Sequence, residues 1–95
     1  MSVELYRQEG PDFRSVRVRI EGDELILDTQ DTGAVTESVW GDTDYEFWTS
    51  VRREHWGELL VALIVEYLSG RPDATDRLRD LCREHEVPHV WDSWV

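Results

Sequence analysis

The sequence predicts an α+β protein: an antiparallel sheet of four to five strands with two helices on one face, in the order ββββ-αα-β. Three observations carry this. Apolar residues recur at every second position in the first half of the chain, they recur at helical spacing after Trp56, and aromatic and β-branched residues return after Pro88. Strands grouped before helices segregate the helices to one side of an antiparallel sheet.

Val3, Leu5 and Arg7 alternate with polar positions and make a short first strand, which Glu9-Gly10-Pro11-Asp12 breaks. From Arg14 the chain places Val16, Val18 and Ile20 on one face and Arg17, Arg19 and Glu21 on the other, the period of a half-buried strand. Gly22-Asp23, between Glu21 and Glu24, suits a type II′ hairpin, and Leu25 and Leu27 continue on the returning strand. Asp28 to Asp44 is polar and rich in turn formers and reads mainly as loop, with room for a short strand from Ala34 to Val39. Tyr45, Phe47, Thr49 and Val51 then alternate with Glu46, Trp48 and Ser50 as a further strand.

At Trp56 the period changes. Trp56, Leu59, Leu60, Leu63, Ile64, Tyr67 and Leu68 form one apolar stripe on a helix that Gly70 and Pro72 end. Asp73 is placed to cap a second helix, with Asp76 in its positively polarised first turn. Leu78, Leu81, Cys82 and His85 supply that helix's inner face. After Pro88, His89 to Val95 has the composition of a last strand. With 95 residues, no repeat and no linker, residues 1–95 read as a single domain.

Charge narrows the function classes. The chain carries 21 acidic residues against ten basic ones, all arginine, for a net charge of −11. Such a surface repels nucleic acid and anionic membrane and suits a basic partner. Two backgrounds without functional meaning give the same bias: a GC-rich genome that displaces Lys codons, or an acidic, salt-adapted proteome. The longest strongly apolar stretch, Leu59 to Val65, spans seven residues against the roughly 20 needed to cross a bilayer. No basic segment followed by an apolar run opens the chain, so the expected location is cytoplasmic. One cysteine, Cys82, leaves no intrachain disulfide and no cysteine-cluster metal site.

Arg83 to His89, REHEVPH, matches the His-Glu-x-x-His pattern of zinc hydrolases. Zinc binding needs His85 and His89 one turn apart on a continuous helix. Pro88 bars that helix, since its ring clashes with the carbonyl of Glu84 and disfavours helical geometry at Val87. His55 or an acidic residue would have to serve as the third ligand. The expectation is a helix end with His85 in its last turn, and no metal site.

No basic residue or histidine occurs between Arg19 and Arg52, while Glu21, Asp23, Glu24, Asp28, Asp31, Glu37, Asp42, Asp44 and Glu46 all do. Neither acidic loop is an EF-hand: counting from Asp28, Val39 stands where the bidentate Glu belongs, and counting from Asp42, Phe47 stands where the Gly belongs. Of the five tryptophans, Trp56 belongs to the helix stripe and is expected to be buried. Trp48 is out of phase with Tyr45 and Phe47, and Trp91 and Trp94 fall on opposite faces of the last strand. At least one of these three is expected at the surface, where a Trp beside acidic residues suits binding. Cys82 reads as core rather than nucleophile, and no Gly-x-Ser-x-Gly, phosphate-loop or dinucleotide motif occurs.

WGDTDYEFW, Trp40 to Trp48, together with the closing VPHVWDSWV, resembles a set of short uncharacterised bacterial proteins with a Gly-Asp-x-Asp-Tyr-Glu segment and a Trp-rich C-terminal tail. The likeness covers about a fifth of the chain, and Asp92 interrupts the aromatic tail. It implies a shared fold and brings no catalytic residues with it.

These readings converge on a small non-enzymatic protein-binding module without cofactor. It acts through Trp40, Asp42, Asp44, Glu46 and Trp48 on a basic, toxin-like partner, as an immunity or antitoxin-like inhibitor does. Two alternatives stand beside it: a metal- or small-ligand-binding module using Asp28, Asp31, Asp42 and Asp44, and a homodimeric structural protein that hides its Trp in a symmetric interface.

Overall fold

The computed structural model describes residues 1–33 and 44–94. It is α+β: strands β1 (Ser2–Gln8), β2 (Phe13–Glu21), β3 (Glu24–Thr32) and β4 (Asp44–Arg52), a 3-10 turn (Arg53–His55), then helices α1 (Trp56–Leu68) and α2 (Ala74–Glu84). The chain divides into two compact units, Met1–Gly57 and Glu58–Val95.

In the first unit the four strands form one antiparallel sheet in the order β1-β2-β3-β4, so among the described residues β1 and β4 are the edges. The hairpin between β2 and β3 follows from Gly22. Its φ of 56° fits the first central position of a II′ turn, and Asp23 does not share the positive φ that a I′ turn needs at both positions. Glu21 pairs with Glu24 across that turn, and the register runs without a break to Phe13 opposite Thr32. β3 pairs with β4 just as regularly, from Glu24 opposite Arg52 to Thr32 opposite Asp44. β1 differs: its register against β2 shifts between Glu4 and Tyr6, which leaves Leu5 as an extra residue.

Pairing at period two sorts the side chains. One face carries Val3, Val16, Val18, Ile20, Leu25, Leu27, Thr29, Tyr45, Phe47, Thr49 and Val51. The other carries Arg17, Arg19, Glu21, Ile26, Asp28, Gln30, Asp44, Glu46 and Trp48. Burial is deepest on the central strand β3, where Ile26 is the one buried apolar side chain among the described residues.

The acidic run begins differently from the expectation. Asp28 to Thr32 is not loop but the second half of β3, and Asp28 and Asp31 are buried. The physical reason lies in β2: Arg14 pairs with Asp31 and Arg19 with Asp28, so the polar stretch finds opposite charge instead of solvent. The chain leaves the sheet at Gly33, whose φ of 124° no L side chain adopts readily. A Cβ there would run into the backbone carbonyl of Pro11 and stand 2.9 Å from Asp12 Cα. The strand expected from Ala34 to Val39 lies outside the described residues.

In the second unit Gly70, with a φ of 79°, follows α1 as expected of a helix stop. Asp73 does not cap α2 with its side chain. Its carboxylate instead accepts two hydrogen bonds from Arg71, at 3.0 and 2.9 Å. Only the Asp73 backbone carbonyl joins the helix, accepting from Arg77 N–H at 2.9 Å.

α2 ends at Glu84, and His85 is the cap residue rather than part of the last turn. Glu86 takes a left-handed φ of 54°, while Val87 N–H reaches Cys82 O at 2.8 Å and Glu86 N–H reaches Arg83 O at 3.3 Å. Those two bonds with a left-handed residue between them are a Schellman closure.

No strand follows. Residues 89 to 94 carry no regular structure, so the described order is ββββ-αα and the fifth strand is withdrawn. A strand exists only through the ladder it joins, and this segment makes side-chain contacts within its own unit instead: the Arg79 guanidinium lies 4.7 Å from the centre of the Trp91 ring.

Candidate functional site

Edge strand β4 builds the site. Asp44, Glu46 and Trp48 are two residues apart, so they project from the same face of the sheet, beside Thr32, Gln30 and Asp28 of β3. Glu46 is exposed, and Trp48 is 63% exposed on a strand paired along its length with β3. Tyr45 and Phe47 leave on the opposite face, with ring centres 5.6 Å apart. Trp40 and Asp42, the other two residues of the expected surface, lie outside the described residues.

On the inner strands, arginine and aspartate side chains pair with each other on both faces of the sheet. Arg14 donates two hydrogen bonds of 2.6 Å to the two carboxylate oxygens of Asp31. That hydrogen bonding, before any other cause, holds the Arg14 guanidinium above its ordinary pKa. Arg19 forms an ion pair with Asp28. Both carboxylates are thus committed to arginine, and they leave the sheet on opposite faces. Asp28 and Asp31 therefore do not assemble a shared metal site of the kind the alternative reading uses. Among the described residues no three His, Cys, Asp or Glu side chains are grouped to hold a metal ion.

The tryptophans separate by environment. Trp56 is half-buried rather than buried. Its indole N–H donates to Val51 O at 2.8 Å, and the Arg53 guanidinium lies 5.1 Å from its ring centre. Trp48, Trp91 and Trp94 are all more than half exposed. Of these, Trp48 alone stands on a strand beside carboxylates, whereas Trp91 is stacked by Arg79 and Trp94 lies in an irregular segment.

His85 and His89 are separated by the helix end, and His89 Nδ1 lies 2.8 Å from Val87 O in the segment that follows. Cys82 is half-buried beside His89, Val90 and Trp91. Between α1 and α2 runs an apolar groove of about 480 Å³, lined by side chains that include Leu60, Leu63, Ile64, Tyr67, Leu78 and Leu81. The apolar spacings of α1 and α2 mark these residues in the sequence, but nothing in the spacings says that they line an open groove. No described helix is long and apolar enough to cross a membrane.

Compared with protein-family models, curated proteins and solved structures, the chain matches none.

Proposed function

We propose that this protein is a small, acidic, non-enzymatic binding module that docks a basic protein through the Asp44, Glu46 and Trp48 face of β4. An immunity or antitoxin-like inhibitor acting in the cytoplasm is its most concrete form. The observation that supports the reading is one of phase: two carboxylates and a tryptophan on alternate positions of one strand, with Trp48 63% exposed. An indole held on a rigid strand loses little conformational freedom on docking, and exposed aromatic anchors of this kind dominate binding energies. The flanking carboxylates steer a cationic partner and set the salt dependence of its arrival. With a net charge of −11 the remainder of the chain adds to that field.

Replacing Asp44, Glu46 and Trp48 with alanine tests the reading. Loss of the two charges slows association and flattens its salt dependence, while loss of Trp48 speeds dissociation. Unchanged affinity and unchanged salt dependence in the triple variant would remove the basis for the proposal.

A further inference from the structure

The two edges of the sheet are not equivalent. β1 is interrupted by its bulge between Glu4 and Tyr6, a device that spoils an edge as a template for further pairing. β4 has no bulge, no proline and no glycine over its nine residues, and among the described residues no strand lies beyond it.

The ladder shows which backbone groups face away from β3. Arg53 N–H donates to Asp23 O at 2.7 Å. Counting back two residues at a time, Val51, Thr49, Phe47 and Tyr45 direct their N–H and C=O groups to β3. Arg52, Ser50, Trp48 and Glu46 therefore direct theirs outward.

We propose that this edge pairs with β4 of a second copy of the chain, antiparallel about a two-fold axis at Trp48, to make one continuous eight-stranded sheet. Trp48 is the middle residue of Asp44–Arg52, so this register matches every residue of the strand to one in the other copy. Its backbone groups face outward, as the central hydrogen-bonded pair of such a ladder requires.

The charges select the same occupant. β4 is acidic where it begins, at Asp44 and Glu46, and basic where it ends, at Arg52. Antiparallel self-pairing lays Asp44 opposite Arg52 twice and Glu46 opposite Ser50 twice, whereas parallel pairing would run acid alongside acid. On the apolar face Phe47 meets Thr49 and Tyr45 meets Val51, aromatic against β-branched residues. The two Trp48 side chains meet on the other face, so the acidic, indole-bearing surface becomes continuous across the axis.

Analytical ultracentrifugation of the full chain tests this, with folding of every variant followed by far-ultraviolet circular dichroism. The wild type sediments as a dimer. Asp44→Arg and Arg52→Glu are each monomeric alone, because each sets like charges opposite each other, and an equimolar mixture of the two restores the dimer. Ser50→Pro removes an outward N–H while leaving the ladder to β3 and all of Asp44, Glu46 and Trp48 in place, and it weakens the dimer at least tenfold. A wild type that stays monomeric at its highest soluble concentration overturns the proposal. So does a dimer that Ser50→Pro leaves untouched, or a mixture of charge variants that stays monomeric. Because monomeric Ser50→Pro keeps the proposed partner face, its affinity for a basic partner reports on that function separately from the dimer.

Discussion

Arg14 and Asp31 face each other across β2 and β3, joined by two hydrogen bonds of 2.6 Å, with the Asp31 side chain only 13% exposed and the Arg14 side chain 48% exposed. The asymmetry in exposure sets the consequences of breaking the pair. Arg14→Ala strands a mostly buried carboxylate and costs about 2–3 kcal/mol, below the full penalty of a wholly buried pair because one partner reaches solvent. Asp31→Ala leaves an arginine that water can reach and costs about 1 kcal/mol. The double variant costs less than the two single losses combined. Urea unfolding of the four proteins checks the cycle, and additive losses would show that the two side chains do not act on each other.

Gly33 turns the chain out of the sheet against the β1–β2 loop. Gly33→Ala adds a Cβ against Pro11 and Asp12 at a φ of 124°, so both contact and backbone oppose it. It is expected to destabilise the protein by more than about 2 kcal/mol. Gly22→Ala, where nothing lies within 4 Å of the new Cβ, meets backbone strain alone and costs less. Thermal unfolding of the two variants ranks them, and equal losses would mean that the contact with Pro11 yields easily.

Glu86 holds a left-handed conformation that glycine adopts without strain. Glu86→Gly is expected to raise stability by up to about 1 kcal/mol, offset in part by the extra freedom of glycine in the unfolded chain. An unchanged or lowered melting temperature would argue against the Schellman closure after α2.

Asp73 has its carboxyl held below the ordinary aspartate pKa, first by its hydrogen bonds to Arg71. A depressed pKa gives stability that is present above the unfolded aspartate value and is lost as pH falls through the folded one. The Arg71–Asp73 pair is therefore intact at neutral pH and contributes nothing in strong acid. Since both side chains are exposed, the effect on global stability is small. A carboxyl titration followed by nuclear magnetic resonance shows it directly. In Arg71→Ala the Asp73 midpoint returns to the ordinary range; a midpoint that does not move would assign the depression to another group.

Much of the sheet was legible in the residues because period two and the Gly22-Asp23 turn both act locally. Counting outward from that turn also sets Arg14 opposite Asp31 and Arg17 opposite Asp28. Asp28 to Thr32 nevertheless reads as loop when taken alone, since the attraction that keeps it in the sheet comes from another strand. Asp73 shows the same limit: its position marks a helix start, but its carboxylate has a second partner in Arg71 and goes there. The absent last strand has the same origin, because β-branched and aromatic composition supplies no ladder to join. At the candidate site, the alternation that sets Asp44, Glu46 and Trp48 on one face was visible in advance. That β4 carries no bulge and is the last strand of the sheet among the described residues was not, since strand order is a property of the whole sheet.

The Asp44, Glu46 and Trp48 face is proposed as a binding surface for a basic protein. Affinity capture on immobilised wild-type chain and on the Asp44→Ala, Glu46→Ala, Trp48→Ala triple variant, followed by calorimetry of the recovered partner at several salt concentrations, measures this most directly. The expected result is a cationic partner whose affinity falls as salt rises and drops by more than about thirtyfold in the triple variant, the loss expected when an anchor worth about 2 kcal/mol is removed. A partner held equally tightly by both proteins, with no response to salt, would contradict it.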